Sequence, residues 1–179
     1  MTGETERAPV LSPQAIHLIR TTTTANLTLS QMADQKASIL MGANFVVFTV
    51  AVGQAGRGGV PPALLVLACA AFLSALCAVV AVLPAIRPSK VAPGGENILF
   101  FGVFSQMSEE EFTARAFEAL ASDETVMRAM LRDIHQNGMV LQRKKYRFLG
   151  LAYRVFLIGL TLTLVTFLID NRANLPRLF

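Results

Sequence analysis

Hydrophobic and polar positions sort this chain into three long apolar runs set in polar sequence. Ala37–Gly56, Ala63–Ile86 and Leu149–Ile169 each hold about 20 residues, enough at 1.5 Å per residue to cross a hydrocarbon core of roughly 30 Å. Asn44 and Gln54 are the strongly polar residues of the first run. The second meets no charge before Arg87, beyond Pro84, and the third carries Arg154 near its start. The pattern predicts an all-α membrane protein with three transmembrane helices, at 37–56, 63–86 and 149–169.

The sequence between the runs predicts the remaining elements. Residues 1–11 are polar and Pro-containing, which predicts a disordered tail. Ser12-Pro13 resembles an N-cap followed by proline, so a helix over 12–36 should lead into the first span, weakest at Thr21–Thr24. Gly56–Pro62 is rich in turn residues and predicts a tight hairpin between the first two spans. Pro84 and Pro88 end the second, and Pro93-Gly94-Gly95 marks a loop. Asn97–Met107, with three phenylalanines around Gly102, is too short to cross. It predicts an extended or irregular segment tucked into a soluble helical module, or else a membrane-surface contact.

Ser108-Glu109-Glu110-Glu111 has capping-box spacing and opens a helix to Leu120, with an apolar face of Phe112, Ala116, Phe117 and Leu120. Ser122 caps the next helix, with Asp123 and Glu124 in its first turn. From there Val126, Met130, Ile134, Leu141 and Phe148 keep helical spacing straight into the third span. Gly138 and Gly150 are the only soft points. Unbroken, such a rod is about 70 Å long.

Composition sharpens the class. With 53% hydrophobic and 16% charged residues, too little polar sequence remains to cover three apolar helices in a soluble domain. Met1–Ser12 lacks the apolar core of a secretory signal, so the first span is expected to insert uncleaved. Lys and Arg give the orientation. Arg7, Arg20 and Lys36 precede the first span, and Arg57 alone lies in the hairpin. Residues 87–148 hold Arg87, Lys90, Arg115, Arg128, Arg132 and the cluster Arg143, Lys144, Lys145 and Arg147. The positive-inside rule predicts a cytoplasmic N-terminus and 87–148 module, with the 170–179 tail outside, in the periplasm. The net charge of +4 follows from that topology. Acids nearly balance the bases of the middle segment, so no nucleic-acid footprint is present. Cys69 and Cys77 lie eight residues apart on one helix and cannot bridge.

No enzyme motif appears: neither a phosphate-binding glycine loop, nor metal-ligand spacing among His17, His135 and the cysteines, nor a Ser/His/Asp set. The spans lack the deep ionisable groups of a carrier. The informative constellation is Asn26, Ser30 and Asp34 on one helical stripe, with Lys36 just before the first span. Lys145 and Tyr146 sit at the corresponding depth before the third. Together Asn26, Asp34, Lys36, Lys145 and Tyr146 offer cations for a singly charged phosphodiester and polar groups with a ring for a base. The same groups also suit ordinary interfacial anchoring.

The segment from Asn26 to Leu40, with Ala33-Asp34-x-Lys36-Ala37 at the head of a span, resembles the Pycsar transmembrane effectors. Pro84, Asn97, Phe101-Gly102, Glu111-Phe112, and Lys145-Tyr146 with Leu149 match in order. The resemblance covers about residues 15–170. It implies an antiphage effector of the bacterial inner membrane that needs no cofactor. A partner pyrimidine nucleotide cyclase would make its ligand, cyclic UMP or cyclic CMP, and the response would be membrane impairment and abortive infection. Small residues at Ser38, Gly42 and along the alanine-rich second span suggest a homo-oligomer in contact with lipid. A membrane scaffold or adaptor, a small constitutive channel and, more distantly, a membrane enzyme remain open as alternatives.

Overall fold

The computed structural model describes residues 12–55, 61–84 and 96–172, and these form helices and turns without a strand. The expected tail before Ser12, the turn at 56–60, the breaks at Pro88 and Pro93–Gly95, and the tail beyond Arg172 lie outside the described residues. Helix α1 runs from Ala15 to Ala55 and α2 from Pro62 to Val82. A single helical turn, α3, spans Phe101–Phe104, where an irregular segment was expected. Helices α4 (Glu109–Ala119) and α5 (Asp123–Val140) follow. A π-helical turn, Leu141–Tyr146, joins α5 to α6 (Arg147–Asp170) without a break.

Local chemistry sets these boundaries. Ser12 Oγ accepts from Gln14 N at 3.2 Å, just ahead of α1. Ser108 Oγ accepts from Glu111 N at 3.2 Å to cap α4, while the Glu111 carboxylate turns to Arg115 one helical turn on. Ser122 and Thr125 form a reciprocal capping box at the start of α5. The apolar run from α1, all of α2, and the run through α6 make three helices long and apolar enough to span a membrane.

The helices fold into two compact units. The first holds the described residues of Met1–Leu29 and Pro84–Leu141. There Asn26 Nδ2 donates to the Ile134 carbonyl at 3.2 Å, tying α1 to α5. Asn97, 2% exposed, donates to Asp133 at 2.9 Å and accepts from Leu99 N at 3.0 Å, which seats the turn before α3 on α5. Phe104 packs edge-on to Phe101 and also meets Phe112. The apolar face expected of α4 is not covered: Phe117 and Leu120 are exposed, and no residue of α4 is buried.

The second unit holds the described residues of Ser30–Leu83 and Gln142–Phe179. Most of its buried positions fall three, four or seven apart: Ala33, Ala37, Leu40, Asn44 and Ala51 on α1; Ala71, Ser74, Ala78 and Ala81 on α2; Leu149, Ala152 and Gly159 on α6. That spacing is the seam of a left-handed helical coil. Here smallness marks most of the seam, since the majority of the large apolar side chains of the spans are exposed. Without a hydrophobic force between helices in lipid, close van der Waals contact between small residues holds them. The alanines expected to join protomers at Ala71, Ala78 and Ala81 are therefore used within the chain, whereas Ser38 and Gly42 remain exposed.

One hydrogen-bonded chain links the three spans. Asn44 Nδ2 donates to Ser74 Oγ at 2.9 Å, and Ser74 Oγ donates to the Ala152 carbonyl at 2.9 Å. Both side chains are fully buried. Ser74→Ala strips Asn44 of its acceptor and should lower stability by about 1 kcal/mol. Thermal unfolding in detergent reads this; an unchanged midpoint would mean the link contributes nothing.

Candidate functional site

The polar groups at the head of the first and last spans lie on α1 and the π turn. A π turn carries one more residue per hydrogen-bonded ring than an α turn, so it re-aims the side chains it holds. Lys144 Nζ donates to the Leu83 carbonyl at 2.7 Å, satisfying the end of α2. Its neighbour Lys145 donates to Ser30 Oγ at 2.7 Å and to both Asp34 oxygens, at 2.8 and 2.6 Å. An ammonium has three N–H groups, so this arrangement saturates Lys145. Its side chain is 18% exposed and that of Asp34 is 40% exposed, which shields the pair from much of the solvent.

Of the residues singled out from sequence, the structure thus brings Asp34 and Ser30, neighbours on one stripe, together with Lys145. Tyr146 packs against the cluster formed by Ala33, Ala37, Leu40, Ala78, Ala81, Leu149 and Ala152. Lys36 is exposed on α1. Asn26 belongs to the first unit, engaged with Ile134. His17 and His135 are both exposed. Among the described residues no group of three His, Cys, Asp or Glu is placed to hold a metal.

A second feature was not anticipated. In the first unit, α4, α5 and the segment at Glu96–Ile98 enclose an open cleft of about 500 Å³. Helix α5 presents Thr125, Arg128, Ala129 and Arg132 to it, at i, i+3, i+4 and i+7, and α4 presents Arg115, Glu118 and Ala119. Arg115 is ion-paired to Glu96 and Glu111. Its guanidinium is held above its ordinary pKa chiefly by the hydrogen bond to Glu96. Arg128 holds Glu124 one turn back, through Nε at 2.8 Å, and Arg132 donates to the Glu96 carbonyl at 3.2 Å. Arginines spaced this way are usually read as a solvated helix face. The missed signal was the small residue beside each, Ala119 and Ala129, which leaves the space between the helices unfilled.

Comparison with known proteins adds one finding. The family model for PycTM, the Pycsar effector protein domain, matches residues 17–170, from the first turn of α1 to the last residue of α6. No curated protein and no solved structure matches the chain.

Proposed function

The chain belongs to the Pycsar effector family of antiphage defence, and from that premise we propose that it senses a cyclic pyrimidine mononucleotide and impairs the bacterial inner membrane in response. That family is not one of known enzymes, and it implies a system with a partner cyclase. In this reading the cyclase makes cyclic UMP or cyclic CMP on infection, and the cell dies before the phage matures. The observation that carries the reading is the extent of the match. Residues 17–170 take in both units, so ligand reception and membrane action fall to one chain.

The positive-inside pattern supports a cytoplasmic first unit, on the side where the nucleotide would be made. Asp34, Lys36, Lys145 and Tyr146, all in the second unit, carry the response. The saturated Lys145–Asp34 pair is a closed latch between the first and last spans, and the ligand-bound state is the one in which it opens. Moving a resting 1:99 population to 99:1 takes about 5.5 kcal/mol of differential binding. Several protomers acting together meet that requirement more easily than one. Assembly is also favoured because the seam between three spans is filled by small side chains and offers no path of its own.

Dye-loaded vesicles carrying the purified protein test this. They should hold their contents until cyclic UMP or cyclic CMP is added, and leak afterwards. Leakage without nucleotide would favour a constitutive channel, and nucleotide binding with intact vesicles would sink membrane impairment.

A further inference from the structure

We propose that the cleft between α4 and α5 is the receptor site for a small, singly charged organic phosphate, with Arg128 and Arg132 holding the phosphate. This rests on the nucleotide-sensing reading above and gives that reading a place in the first unit. The size is right: about 500 Å³ lies within the 300–1,000 Å³ typical of small-ligand pockets. The hydrogen-bond donors are right as well. A guanidinium offers five N–H donors in a planar fork that fits phosphate oxygens in pairs. Arg132 gives one of its donors to a backbone carbonyl. Arg128 is gripped from behind by Glu124, through Nε and Nη2, which orients it.

The carboxylates around these cations make the site selective. Glu96, Glu111, Glu118 and Glu124 outnumber Arg115, Arg128 and Arg132 by one, so the cleft carries no net positive charge and an anion is held by directed hydrogen bonds rather than by the field. A phosphodiester with one negative charge tolerates that field better than a phosphomonoester approaching two. Glu118 also lines the cleft, and its carboxylate can accept from the exocyclic amine or ring N–H of a base. Ile98, Ala119 and Ala129 supply the apolar part of the lining, here called the floor, which suits the face of a small ring. Two helices without a buried residue, with Phe117 of α4 and Leu120 just beyond it exposed, leave room that a tightly packed hairpin would have closed.

Equilibrium binding to the full chain in detergent, with cyclic UMP and cyclic CMP as probes, decides the matter. Arg132→Ala should weaken binding about tenfold or more, and Arg132→Lys, which keeps the charge but loses the fork, by less. Ala129→Leu fills the floor without changing charge and should abolish binding while thermal unfolding stays cooperative. Inorganic phosphate at equal concentration should compete poorly. If the wild-type chain binds one probe and both Arg132→Ala and Ala129→Leu bind it equally well, the cleft is not the receptor and the sensing reading stands. If the wild-type chain binds neither probe, the sensing reading falls and this site with it. Full competition by inorganic phosphate would reduce the cleft to a simple anion site and overturn the proposal.

Discussion

Gly159→Leu should prevent the three spans from assembling, and Gly159→Ala should cost about 2 kcal/mol of stability. A Cβ added to Gly159 would run into Ala70 Cβ, far inside contact distance, and lie 3.5 Å from its Cα. The obstacle is a methyl fixed to backbone, so no rotamer can yield, and α6 must move off α2. Opposing this, alanine is a better helix former than glycine by about 1 kcal/mol. The clash must win by a margin for a loss to appear. Two controls isolate it. Ala70→Gly added to Gly159→Ala should restore the melting temperature, because it removes the atom in the way. Gly42→Ala should be neutral or slightly stabilising, since a Cβ there would meet nothing within 4 Å. Thermal unfolding in one detergent compares all four variants; a Gly159→Ala protein as stable as wild type would refute the close approach.

Asp34→Ala should be the most damaging single change at the head of the spans, with Lys145→Ala close behind. Removing the carboxylate leaves the 18% exposed Lys145 with its hydrogen bond to Ser30 and no counter-charge from Asp34. Truncating one member of a shielded, hydrogen-bonded ion pair costs 2–5 kcal/mol in well-buried cases, and the 40% exposure of Asp34 points to about 2 kcal/mol here. If the pair is the closed latch, vesicles bearing either variant should leak before any nucleotide is added. The exchange Asp34→Lys with Lys145→Asp keeps one charge of each sign at the same level and should recover much of both stability and tightness. Ser30→Ala removes one hydrogen bond and should cost about 1 kcal/mol. Tight, nucleotide-responsive vesicles from both single variants would show that the pair plays no part in gating.

How far the chain can be read before its structure is known depends on whether the signal is one of polarity or of size. The spans were legible because length and hydropathy alone mark them, and the caps at Ser108 and Ser122 because their side chains act within three residues. The helical spacing from Asp123 toward α6 was legible for want of any stop signal, whereas the continuity of the helix was not. The seam was not: a helix that is apolar all round shows no favoured face, and Ala33, Ala37, Ala78 and Ala152 differ from their neighbours only in volume. The π turn adds a residue without changing composition, so Leu141–Tyr146 looked like ordinary helix. Asp34 and Lys145 were expected at one depth, but their pairing requires two segments more than a hundred residues apart to meet. The cleft was missed because Arg128 and Arg132 follow the spacing of any exposed helical face. Phe117 and Leu120 belong to the apolar face read from the sequence, yet both are exposed, because periodicity shows which side of a helix is apolar and not what covers it.

Phe45, Leu65, Phe72, Leu157, Ile158 and Leu164 are all exposed on the spans, so in a bilayer these side chains would meet acyl chains. The protein's mechanical rigidity is therefore partly borrowed from its surroundings. Thinner, more fluid or more tightly ordered bilayers should each shift how readily the spans rearrange, even with every residue unchanged.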